Sequence, residues 1–75
     1  MQSKQSQYTI TYDDFNDIFL CDIDGEIISA NFVGEILSYI AKAYDFEPKI
    51  IYPELHYAKV LENELNINIQ LAFEY

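Results

Sequence analysis

Two aspartates two positions apart, Asp22 and Asp24, close an apolar run and are followed at once by Gly25. Carboxylates at that spacing can hold a divalent cation, or divide nucleophilic and acid–base work between them. The other reactive groups are one cysteine, Cys21, and one histidine, His56. Catalysis by histidine requires a positioned thiol, hydroxyl or carboxylate beside it. Cys21 falls inside the apolar run, where a thiol behaves as a small, inert apolar group. His56 reads as a surface or half-buried structural histidine. Two glycines, Gly25 and Gly34, are too few for a phosphate-cradling loop or a dinucleotide fingerprint. No Cys/His cluster has the spacing of a zinc site, and a single cysteine forms no internal disulfide. The chain reads as a non-enzyme that takes no metal and no cofactor.

The run Ile18-Phe19-Leu20-Cys21-Asp22-Ile23-Asp24-Gly25 resembles the first motif of haloacid-dehalogenase-type phosphatases. That resemblance implies Asp22 as nucleophile, Asp24 as acid/base and magnesium between them. It covers eight of the 75 residues, and Glu26 stands where the family carries Thr or Ser. The rest of the chain is too short for the core that supplies the family's other motifs. An EF-hand register fares no better. With Gly25 at the loop glycine, Leu20 takes the first ligand position and Asn31 the place of the bidentate Glu. The reading adopted is a tight hairpin with Asp24-Gly25 at its tip, because a type I′ turn requires positive φ at both central residues.

What the chain has in abundance is negative charge. Thirteen Asp and Glu against four Lys leave a formal net charge of −9. Residues 13–26 carry six of those units, from Asp13, Asp14, Asp17, Asp22, Asp24 and Glu26, with no basic residue among them. Self-repulsion of that size opposes a compact state. A charge of roughly 2–8 suffices to keep a small domain in solution, so this chain lies just beyond the usual range. Disorder is excluded nonetheless, since 51% of the residues are hydrophobic and 16% aromatic. Ordinary nucleic-acid binding is excluded as well, because it needs clustered Lys and Arg. No stretch approaches the roughly 20 apolar residues of a membrane span.

Positioning these groups falls to a few short elements. Residues 1–7 read as a flexible polar leader without the apolar run of a signal peptide, and residues 8–75 as one domain. Tyr8 to Tyr12 alternate as a half-buried strand does, and Asp13 to Asp17 read as a turn. Ile18 to Ile23 form a more continuously apolar, central strand, with Glu26 to Ile28 returning after the hairpin. From Ser29 the period changes: Phe32, Val33, Ile36, Leu37, Ile40, Ala43 and Tyr44 make one helical stripe. Ser29 or Asn31 is expected to cap this helix, which runs to Asp45 ahead of Pro48. Residues 49–52 read as a short strand. Residues 54–65 fit a helix, with Leu55, Ala58, Leu61 and Leu65 on one face, although their alternation also allows a hairpin. Ile67, Ile69, Leu71, Phe73 and Tyr75 alternate as a last strand.

The expected architecture is a small α+β fold, an antiparallel sheet of four or five strands with one or two helices on one face. The last strand is expected inside the sheet. At an edge it would be a candidate for pairing with a second copy, giving a homodimer through the C-terminal strand. The expected function is that of a small acidic inhibitor in the cytoplasm. Its partner would be the basic, nucleic-acid-binding surface of a nuclease or similar protein, with no direct contact to nucleic acid or membrane. The six acidic residues, with Tyr8, Tyr12 and Phe15 beside them, would compete with nucleic acid for that surface. In size, acidity and lack of catalytic motifs the chain resembles phage-encoded anti-defence proteins of the anti-CRISPR or anti-restriction kind, in type and not in motif. The alternatives are an oligomerising structural or regulatory subunit and an immunity or antitoxin-like partner of a basic toxin.

Overall fold

Alternation governs the first strand. In β1 (Gln7–Asp13), Tyr8 and Ile10 point into the core while Gln7, Thr9 and Thr11 face outward. A computed structural model describes residues 6–47 and 54–73. β1 pairs antiparallel with β2 (Ile18–Ile23), and β2 pairs antiparallel with β3 (Glu26–Ala30). The register sets Ile10 opposite Cys21 and Cys21 opposite Ile28, so one face of the sheet is continuously apolar. The hairpin between β2 and β3 has the expected form: Asp24 at φ 54° and Gly25 at φ 87°. The Asp22 carboxylate accepts the Gly25 N–H at 2.8 Å and braces the turn.

Helix α1 (Val33–Ala43) buries Val33, Ile36, Leu37, Ile40 and Ala41 against β2 and β3. It starts four residues later than the expected Ser29, because the chain up to Ala30 is still paired in β3. Its N-cap is Phe32, whose side chain caps nothing and is largely exposed, so neither Ser29 nor Asn31 serves that role. Instead Glu35, at the third helical position, reaches back past the N-cap to accept the Asn31 N–H at 3.2 Å, a contact akin to that of a capping box but one residue earlier. The helix stops two residues before Asp45. Phe46 N–H bonds the Ala41 carbonyl and Asp45 N–H the Lys42 carbonyl, with Asp45 at φ 56°, the Schellman arrangement.

Helix α2 (Glu54–Leu65) has the helical conformation favoured for that segment and buries Tyr57, Ala58 and Leu61. It ends at Asn66, at φ 53°, with Ile67 N–H on the Glu62 carbonyl. β4 (Asn68–Ala72) then pairs with β1, giving the strand order β3-β2-β1-β4. Two expectations are corrected here. β4 runs parallel to β1, so the sheet is mixed and not wholly antiparallel; alternation specifies which face a residue takes, not which way the strand runs. β4 also lies at the edge, not inside. The strand expected at 49–52 lies outside the described residues, as do residues 1–5 of the leader, while Gln7 already belongs to β1.

The result is one layer of four strands with both helices on one side, a small α+β fold. The centre of the core is Ile10, Cys21, Val33, Ile36, Leu37, Ile40, Ala41 and Leu61, all 2% exposed or less. Among the described residues, the second face of the sheet carries no helix.

Candidate partner-binding surface

The acidic residues that adjoin in sequence do not adjoin in space. A turn precedes β2 and a hairpin follows it, so the two lie at opposite ends of the strand. Six residues of strand separate them by about 20 Å. At one end stand Asp13, Asp14 and Asp17; at the other, Asp24 and Glu26. Asp22, the penultimate residue of β2, belongs to this second end: it faces the helix-free side opposite Ile27 of β3, accepts the Gly25 N–H and lines a cleft with Asp24. The sequence contained this signal: two successive reversals about one strand cannot fall at the same end.

The first cluster is held by local hydrogen bonds. Asp13 Oδ1 accepts the backbone N–H of Phe15 at 3.1 Å and of Asn16 at 3.3 Å, and Oδ2 accepts the Asn16 side-chain amide at 2.8 Å. The Asn16 amide, seconded by those backbone N–H groups, lowers the Asp13 carboxyl below its ordinary value. Asp17 takes φ 56° and accepts the Tyr12 hydroxyl on Oδ1, which raises the Tyr12 phenol above its ordinary value. The Tyr12 ring leans on Phe19 at 5.1 Å, and Phe19 meets Phe73 at 5.1 Å. Phe15 projects from the turn, 92% exposed. Of the expected aromatic contributors, Tyr12 and Phe15 are thus presented among the carboxylates. Tyr8 is not. It is 4% exposed, on the helix-bearing face, and its hydroxyl shares a hydrogen bond of 2.9 Å with that of Tyr44.

The second cluster differs in one respect that the sequence reading missed. Asp24 and Glu26 line a shallow cleft together with Tyr39, Lys42 and Ala43 of α1, so one cation stands beside them. The pairing of a sheet end with the last turn of a helix 16 or more positions away leaves no local pattern to find. On the helix-free face itself no Lys is present among the described residues; Lys42 and Lys59 are both helical. That face presents Thr9, Thr11, Leu20, Asp22, Ile27 and Ser29, alternating apolar and polar groups between the two acidic ends.

The groups first considered for catalysis are placed apart from this surface or are engaged in structure. Cys21 is 2% exposed, and burial, with Asp22 beside it, pushes its thiol up to about 11. His56 sits exposed on α2. Among the described residues no three His, Cys, Asp or Glu come together in a group that could hold a metal ion. Among them, too, no helix is long and apolar enough to cross a membrane. No protein-family model, no curated protein and no solved structure matches the chain.

Proposed function

We propose that this chain is a small acidic inhibitor that occupies the basic, nucleic-acid-binding surface of a partner protein. The observation that carries this reading is the grouping of six carboxylates at the two ends of one strand, with no lysine on the helix-free face between them among the described residues. Three charges stand at each end of this strand of about 20 Å, so a partner would be met at two points. A groove lined by Lys and Arg for phosphates would offer cations to both. Phe15 and Tyr12 would supply the flat, partly apolar surfaces that such grooves use for bases. An inhibitor of this type acts by competition and needs no catalytic group of its own. The anti-CRISPR or anti-restriction proteins of phage are the class it fits, acting in the host cytosol on a nuclease.

The test is affinity capture from the native host, followed by competition and salt titration of what binds. The expected partner is a nucleic-acid-binding enzyme, displaced by duplex DNA and released steeply as salt rises. Replacing Asp13, Asp14 and Asp17 by Asn should weaken capture, and so should replacing Asp22, Asp24 and Glu26 by their amides. Association unchanged from low to high salt would overturn the reading. A second reading, an oligomerising subunit kept in solution by its acidity, draws on the edge position of β4, where Glu62 covers the Ile69 N–H and leaves the rest of the edge to pair. Under it, deleting residues 67–75 abolishes assembly while the amide variants assemble normally.

A further inference from the structure

The sheet has two edges, and they are finished differently. On β4 the Ile69 N–H is taken by the Glu62 carboxylate of α2 at 2.8 Å, a cover of the kind that blunts an edge against pairing. Among the described residues nothing comparable is present on β3 itself; the like bond, Glu35 of α1 to the Asn31 N–H, lies one residue beyond its end. The two-residue hairpin makes Ile23–Glu26, Cys21–Ile28 and Phe19–Ala30 the hydrogen-bonded pairs of the ladder. Ile27 and Ser29 therefore turn both N–H and C=O away from β2, and neither finds a partner among the described residues. The strand contains no Pro, no Lys and no bulge. Three exposed apolar side chains surround it: Ile27 at 64%, Phe32 at 62% and Tyr39 at 51%.

We infer that the β3 edge pairs with the β3 edge of a second copy, giving a two-fold dimer with one continuous eight-stranded sheet. An antiparallel pairing centred on Ile28 sets Ile27 opposite the partner's Ser29, and Ser29 opposite the partner's Ile27. All four residues offer outward N–H and C=O, so the two pairs close four backbone hydrogen bonds. Glu26 then faces Ala30, and no like charges stand directly opposed.

The helices select a second copy over an unrelated peptide. α1 rests over β2 and β3, so its axis lies about one strand spacing, ~4.8 Å, from the two-fold. Two copies of α1 then run side by side at about 10 Å, the ordinary distance for packed helices. Glu35, Ser38, Tyr39 and Lys42 line the cleft between α1 and the β3 edge. Glu35 and Lys42 are equally far, in opposite directions, from the Ser38–Tyr39 midpoint. Tyr39 also lines the neighbouring cleft with Ile28, placing the middle of the helix level with the middle of the strand. The two-fold therefore brings Glu35 of each copy to Lys42 of the other, with Tyr39 between. A row of one acid, two neutral groups and one base complements itself when reversed; a basic peptide would meet Lys42. This inference does not rest on the partner proposed above.

Sedimentation equilibrium of the purified chain tests it. The wild type should dimerise. Ser29→Pro removes one outward N–H without breaking a ladder bond, and Lys42→Glu sets four carboxylates at the junction. Each should raise the dimer dissociation constant by on the order of tenfold or more. The double variant Glu35→Lys, Lys42→Glu carries the same charges in exchanged places and should recover dimerisation, with circular dichroism reporting the fold of each. A monomer at every concentration, a dimer indifferent to Ser29→Pro and Lys42→Glu, or a double variant no tighter than Lys42→Glu would each overturn it.

Discussion

Asp45 shows how a single backbone position decides where an element ends. The sequence suggests a helix continuing to Asp45, since its apolar stripe reaches Tyr44 and the next proline is Pro48. A left-handed residue ends it earlier, and the residue there is Asp in place of the usual Gly. Asp45→Gly should relieve the Cβ crowding and stabilise the fold by on the order of 0.5–1 kcal/mol, read as a higher urea midpoint at constant slope. Cys21 offers the second test at this scale. Its thiol titrates at about 11 when folded against an ordinary 9.0, so the folded state holds the proton longer. The stability so contributed is complete below pH 9 and is lost as pH rises through 11. The unfolding free energy should fall across that window by on the order of 2 kcal/mol, read as a lower urea midpoint at constant slope, and Cys21→Ala should remove this step. Tyr8, raised by burial and by the Tyr44 hydroxyl, adds a loss of the same sign above its ordinary 10.0.

Among the elements, strands and helices differ in how much of themselves they show in sequence. β1, β2 and the Asp24-Gly25 hairpin were legible because alternation and turn chemistry are local. α2 was legible only as the better of two patterns: Leu55, Ala58, Leu61 and Leu65 fit a helix while Leu55, Tyr57, Lys59 and Leu61 alternate. Burial decides it, for Tyr57, Ala58 and Leu61 are inside and Leu55 is not. Leu61→Ala should accordingly cost about 3–5 kcal/mol, a large share of the roughly 4–11 kcal/mol expected of a 75-residue domain. A cost under 1 kcal/mol in urea unfolding would contradict that packing. The direction of β4 was not legible at all. Nothing in an alternating strand distinguishes parallel from antiparallel pairing once two helices intervene.

At the scale of the whole molecule, charge and core oppose each other. Nine net negative charges repel across a domain whose stability rests on one apolar layer between a four-stranded sheet and two helices. Screening that repulsion should stabilise the isolated chain, raising its Tm by ~2–5 °C from low to physiological salt. The sign is opposite to that expected for binding a basic partner, so one salt series separates the two effects. Of the candidate surface, the residue types and the two reversals about β2 were there to be read, while the approach of Lys42 to Asp24 and Glu26 was not. Asp13 to Glu26 read as one block, whereas β2 divides them.

That division turns β2 into a ruler. Under the proposed function, two charged ends fixed about 20 Å apart would behave as two weak ligands joined by a stiff spacer, and stiffness is what would make the second contact nearly unimolecular once the first has formed. A partner whose own cationic sites match the spacing gains avidity from both. One whose sites are nearer together or farther apart gains only a single, readily screened contact. Length along a strand, more than total charge, would then be what discriminates among basic proteins in a crowded cell.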